Sequence, residues 1–142
     1  MERELLFVDD DDLFIAALWP YFEDRFRISL AQSVREAEGL LLRRRFSLIF
    51  TDLRMVDETG RSRADAGLKV IELARSGRPN RDTPVVLTSD AARVRRWLRE
   101  RGFEHVTCVE KAAQGARFMA LVRELSAADD DPRRPDGSGG PA

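Results

Sequence analysis

Five short apolar runs are spaced along the chain between longer segments that carry the period of an amphipathic helix, and few architectures accommodate that alternation. The runs fall at residues 5–8, 26–30, 48–51, 84–88 and 105–109, and the helical segments at 13–24, 34–44, 68–75, 91–101 and 114–125. A strand that is apolar at successive positions is buried on both faces, and strands that alternate with helices predict a parallel sheet covered by helices on its two sides. Five β/α units follow, with no repeat of fixed period beyond that alternation. In the first helical segment Leu13, Ala17, Leu18, Tyr21 and Phe22 form one apolar face, while Pro20 predicts a kink or a restart. Ser33 and Asp90 stand where N-caps belong.

Between residues 56 and 66 the chain is polar, with Asp57, Glu58, Gly60, Arg61, Ser62, Arg63 and Asp65, and reads as a loop longer than the few residues usual in a β/α connection. Residues 127–142 hold no apolar side chain larger than alanine, so burial there cannot offset the entropy of ordering; a disordered tail is expected after a single domain at 1–126. With 43% apolar residues in 142, the chain can build one sizeable core.

Charge and cysteine content exclude several function classes. The 24 basic and 25 acidic residues leave a formal charge of −1, so no overall field draws the protein to nucleic acid or to an anionic membrane. Cys108 is the only cysteine and His105 the only histidine, which rules out an internal disulfide and a histidine-pair metal site and suits a reducing cytosol. Residues 1–7 carry Glu2, Arg3 and Glu4 ahead of a very short apolar run, unlike a signal peptide or a membrane span.

In a parallel α/β sheet the residues just beyond the carboxyl ends of the strands converge on one edge, where ligands bind. Here those positions are Asp9 and Asp10 after the first run, Asp52 after the third, Thr88 and Ser89 at the fourth and Lys111 after the fifth. Three ionised carboxylates cannot cluster without a compensating cation, since each pair about 4 Å apart repels by roughly 4 kcal/mol at an effective dielectric near 20. Oxygen donors with no Cys or His favour Mg2+. Such a site suits phosphoryl transfer, in which a carboxylate can serve as nucleophile. Lys111 is one of only two lysines among the 24 basic residues, and a compact ammonium able to pair with a carboxylate and then with a phosphate gives a reason for lysine where arginine is otherwise used.

Leu5-Leu6-Phe7-Val8-Asp9-Asp10, Leu48-Ile49-Phe50-Thr51-Asp52-Leu53-Arg54-Met55, Pro84-Val85-Val86-Leu87-Thr88-Ser89 and Val109-Glu110-Lys111 resemble, in order and approximate spacing, the motifs of response-regulator receiver domains of two-component systems, over about residues 3 to 126. The resemblance implies the flavodoxin-like receiver fold, a five-stranded parallel sheet of order 2-1-3-4-5 flanked by five helices. It implies that Asp9, Asp10, Asp52 and the backbone carbonyl of Arg54 hold Mg2+, that Asp52 accepts a phosphoryl group from a phosphohistidine, and that Thr88 and Lys111 contact that group. Ser89 would leave room beside it, and the side chains of Arg54 and Asp90 would tune its hydrolysis. The implied partners are a sensor histidine kinase or phosphotransfer protein and a downstream protein target. Signalling would run through the face of the fourth helix, fifth strand and fifth helix, the face a dimer would use; the oligomeric state itself is left open. No direct nucleic-acid or membrane partner is implied, the location is cytoplasmic, and the chain is no enzyme beyond catalysing its own phosphorylation and dephosphorylation.

The sequence departs from that pattern at Ala112, where receivers usually have proline; at 56–66, which replaces a shorter turn; and at Cys108, where an aromatic often stands. Two rival functions remain. One is a degenerate receiver that serves as a non-phosphorylated docking module. The other is a haloacid-dehalogenase-type phosphatase, suggested by Asp9-Asp10-Asp11, Thr88 and Lys111, but it leaves Asp52 without a role and lacks a later acidic pair. Asp11 and Asp12 favour the start of the first helix through its dipole. Arg93, Arg95, Arg96, Arg99 and Arg101 read as a solvated face, Trp97 and Phe118 as core or partner contacts, and His105 and Cys108 as strand residues without chemistry.

Overall fold

A computed structural model describes residues 3–57, 59–89, 92–110, 120–121 and 123–124. In chain order the elements are β1 (Glu4–Val8), α1 (Asp12–Glu23), β2 (Arg27–Ala31), α2 (Val34–Arg43), β3 (Leu48–Asp52), β4 (Met55–Val56), β5 (Ser62–Arg63), α3 (Ala66–Ser76), β6 (Val85–Thr88), α4 (Ala92–Glu100) and β7 (Val106–Val109). Five strands pair in parallel in the order β2-β1-β3-β6-β7, the expected order once β4 and β5 are set aside as a separate antiparallel pair. Residues 120, 121, 123 and 124 are helical; the rest of the segment expected to form a fifth helix, and the tail at 127–142, lie outside the described residues.

Alternate side chains of the central strands feed two cores, as the two-residue period of a strand requires. Leu5, Phe7, Leu48, Phe50 and Val86 pack with Phe14, Ile15, Leu18 and Phe22 of α1. Leu6, Val8, Ile49, Val85 and Leu87 pack with Ala37 and Leu41 of α2, Val70 and Ile71 of α3, and Val94 and Leu98 of α4. The α1 side holds a ring cluster in which the Phe7, Phe22 and Phe50 centroids lie 5.3 to 5.5 Å apart in edge-on geometry, a favoured arrangement for buried aromatics. Helix α1 continues through Pro20 rather than restarting there, its inner face anchored before and after that residue by Leu18 and Phe22. No helix among the described residues is long and apolar enough to cross a membrane.

The amino end of the sheet is closed by Asn80, which is 1% exposed. Its amide nitrogen donates to the carbonyls of Leu41 (3.0 Å) and Arg44 (2.8 Å), while its oxygen accepts from Phe46 N–H (2.9 Å) and the Thr83 hydroxyl (3.2 Å). One side chain thus joins the end of α2, the entry to β3 and the approach to β6. Asn80→Ala leaves these buried groups without it and is expected to cost about 2–3 kcal/mol, read as a lower urea midpoint at unchanged slope. Nearby, Arg75 donates to the carbonyls of Asn80 (3.1 Å), Glu104 (2.9 Å) and His105 (3.3 Å). His105 is therefore no strand residue, contrary to expectation: it turns the chain into β7 with φ of 60°, under carbonyls that Arg75 holds.

Candidate metal and acceptor site

The parallel ladders continue past the strand ends and so carry the acidic residues to one edge. Asp9 N–H donates to the Ala31 carbonyl (3.0 Å), Leu53 N–H to Thr88 (3.0 Å) and Ser89 N–H to Val109 (3.0 Å). Asp52 and Thr88 are register partners on β3 and β6. The outcome is that carboxylate oxygens of Asp9, Asp10 and Asp52 lie within 4.8 Å of one another. Asp9 is fully buried, Asp52 is 8% exposed, and Asp10 is half-buried. The Thr88 hydroxyl donates to Asp52 Oδ1 at 3.3 Å, Asp9 Oδ1 accepts from Asp11 N–H at 2.9 Å, and Asp10 Oδ2 accepts from Val56 N–H at 2.8 Å.

Of the residues singled out from sequence, Asp9, Asp10, Asp52 and Thr88 are brought together, and Ser89 follows Thr88 at the same edge. Arg54 lies in the link between Asp52 and β4. Lys111, Asp90, Ala112 and Phe118 lie outside the described residues. Asp11 does more than complement the helix dipole: its side chain caps α1 by accepting from Leu13 N–H and Phe14 N–H, as Ser33 caps α2 by accepting from Glu36 N–H. Trp97 packs against the core beside Phe103 at 5.7 Å, with the Arg101 guanidinium 4.6 Å above its ring. Burial pushes the Cys108 thiol above its ordinary value, with Arg95 opposing, so it stays protonated near neutral pH.

The segment at 56–66 is not a plain loop. Met55–Val56 and Ser62–Arg63 pair as an antiparallel hairpin whose turn is organised by Asp57, with Oδ1 accepting from Thr59 N–H (2.9 Å), the Thr59 hydroxyl (2.6 Å) and Arg61 N–H (3.0 Å). Those bonds, with Thr59 contributing most, hold the Asp57 carboxyl below its ordinary value. The Val56 N–H that reaches Asp10 was beyond sequence reasoning. The only local signal for the hairpin is the spacing of Asp57 and Gly60, which has φ of 83°, at a turn.

Gly67 lets α3 start directly against the end of β3. A Cβ there would sit 2.4 Å from the Asp52 carbonyl oxygen and 2.8 Å from Leu53 Cα, backbone atoms that cannot move aside cheaply. Gly67→Ala is expected to destabilise the protein by about 1–3 kcal/mol and to displace Asp52, detectable together as a lower thermal midpoint and altered Asp52 and Leu53 amide resonances.

No family model matches the chain, and no curated protein matches it in sequence. Solved structures do resemble it. The receiver domain of a sensor histidine kinase from Pseudomonas aeruginosa, which has a magnesium ion coordinated in its active-site cleft, superposes with a TM-score of 0.69 at 16% identity, covering 89% of this chain and 99% of that one. A response-regulator receiver protein from Sinorhizobium medicae gives 0.71 at 21% identity over 89% of this chain and 96% of that one. The chemotaxis response regulator CheY4 of Vibrio cholerae gives 0.70 at 15% identity over 88% and 99%. At such identities the likeness is one of architecture: the chain has the flavodoxin-like receiver fold.

Proposed function

We propose that the protein is a phosphorelay receiver in which Asp52 accepts a phosphoryl group from a phosphohistidine on a sensor kinase or phosphotransfer protein. The observation that carries this reading is the meeting of Asp9, Asp10 and Asp52 within 4.8 Å, with the Thr88 hydroxyl on Asp52, at the carboxyl edge of a receiver-type sheet. The donor set fits Mg2+: three carboxylates gathered at partial to full burial, oxygen donors throughout, and a charge density that needs a divalent partner. Asp9, Asp10 and Asp52 would hold the ion, with the Arg54 carbonyl as a further ligand implied by the family resemblance. When bound, Mg2+ neutralises charge on the transferring group.

The chain's own residues supply the rest. Asp52 is the acceptor because it alone of the two buried carboxylates retains contact with solvent. One of its oxygens forms an O–P bond as the P–N bond of the donor breaks, and the departing imidazole nitrogen keeps the electron pair. Thr88, already bonded to Asp52, is placed to donate to a phosphoryl oxygen once the group is attached. Lys111 would pair with the same group, as the resemblance implies. Attachment of a dianion would bias an existing equilibrium in the surface of α4 and β7, from which a partner protein reads the state. The chain then acts on no substrate other than its own acyl phosphate, and does so in the cytoplasm.

Full-length protein incubated with Mg2+ and acetyl phosphate is expected to gain the mass of one phosphoryl group. A protein that gains none under these conditions is the docking module instead, and steady phosphate release from small phosphoesters would favour the phosphatase.

A further inference from the structure

The β4–β5 hairpin is the part of the molecule that the proposed function leaves without a task, and it touches the acidic cluster directly. Val56 N–H donates to Asp10 Oδ2 at 2.8 Å. Asp10 is the most exposed of the three carboxylates, and its side chain is the one with most freedom to turn away from its neighbours. A fixed N–H donor on one oxygen sets the direction of the other, which is how groups behind a metal ligand orient it.

Val56 is held in turn by the turn that follows it. Asp57 Oδ1 accepts three bonds from Thr59 and Arg61, Asp57 N–H donates to the Arg61 carbonyl at 2.8 Å, and Arg63 lies 3.6 Å from Asp57 Oδ2. Beside the hairpin lies a cleft of about 230 Å³ lined by Ser33, the N-cap of α2, by Val34 and Arg35 of α2 and by Ala66 and Lys69 of α3. Met55 anchors the base of the hairpin in the core beside α2 and α3, while the bond from Val56 N–H to Asp10 ties its next residue to the sheet edge.

We propose that this hairpin is a positioning element of the metal site: the Asp57-centred turn holds Val56, Val56 orients Asp10, and ion binding and the Val56–Asp10 bond are coupled. The inference rests on the cluster being a divalent-ion site. By linkage, whatever factor the Val56–Asp10 bond adds to ion affinity, the ion must return as stabilisation of that bond.

The test compares wild-type, Asp57→Ala and Asp57→Asn proteins by calorimetric titration with Mg2+ and by amide hydrogen exchange at Val56 with and without Mg2+. Asp57→Ala removes the acceptor at the centre of the turn and is expected to weaken Mg2+ binding about 10-fold, the lower end for loss of an orienting group, and to abolish Mg2+-dependent protection of Val56. Asp57→Asn keeps an acceptor oxygen but no charge, and should retain most of the affinity. Thermal midpoints measured without metal confirm that each variant folds. Unaltered binding by Asp57→Ala, or Val56 exchange indifferent to Mg2+, overturns the coupling while leaving the metal site standing; so does an equal loss in both variants, which would trace the effect to charge. Absence of Mg2+ binding by wild-type protein overturns the metal reading itself and the coupling with it.

Discussion

Asp52→Asn protein is expected to take up no phosphoryl group from acetyl phosphate and Mg2+, a fall in acceptor rate on the order of 10³-fold or more, because the proposed nucleophile itself is removed. The replacement is nearly isosteric. An asparagine oxygen can still accept from the Thr88 hydroxyl, which lies 3.3 Å from Asp52 Oδ1, so the junction of β3 and β6 need not move. What disappears is the negative charge and the lone pair that forms the O–P bond. Asp9 is too deeply enclosed to replace it, being fully buried where Asp52 retains 8% exposure. Intact-mass spectrometry gives the result directly. Uptake that persists in Asp52→Asn, with the phosphoryl group recovered on Asp9, would move the nucleophile to the residue after β1 and revive the phosphatase reading.

What the sequence disclosed and what it hid divide along a physical line. Strands buried on both faces are apolar along most of their length, so residues 5–8, 48–50 and 85–87 stand out as continuous apolar runs, and all of them are buried in the structure. The site was legible for the same reason: a residue that follows a buried strand must emerge at the sheet edge, and Asp9, Asp10, Asp52 and Thr88 are fixed by strand ends rather than by loops. The hairpin escaped because each of its strands is two residues long, too short for a period to develop, and because Ser62 and Arg63 are exposed. Asn80 escaped because an asparagine beside a proline reads as a turn residue, and nothing local tells that Leu41, Arg44 and Phe46, distant in the chain, will turn their polar backbone groups toward it. The hydrophobicity of its neighbours places His105 in a strand, whereas its backbone conformation is set by a turn that Arg75 braces from α3.

The second large effect is a reversal of rank. Without divalent ions, Asp10→Asn protein is expected to be more stable than wild type by about 1–2 kcal/mol, because carboxylates this close repel by about 3–4 kcal/mol per pair at an effective dielectric near 20, and water at the half-buried Asp10 screens about half of it. The substitution keeps an oxygen to accept the Val56 N–H, so the hairpin bond survives and the comparison isolates charge. With Mg2+ at 100 times its dissociation constant the wild type gains about 2.7 kcal/mol, which for a domain of this size raises the melting temperature by about 5–10 °C. Asp10→Asn, lacking one anionic ligand, gains much less, and the two melting curves exchange places. Scanning calorimetry in EDTA and then in excess Mg2+ measures all four states. An Asp10→Asn protein that melts below wild type in EDTA would mean that the acidic groups are held by interactions strong enough to outweigh their repulsion; an equal Mg2+ response in both proteins would place the ion elsewhere. The expected crossing instead identifies a fold that carries an electrostatic penalty at the carboxyl edge of its sheet, which a bound divalent cation relieves.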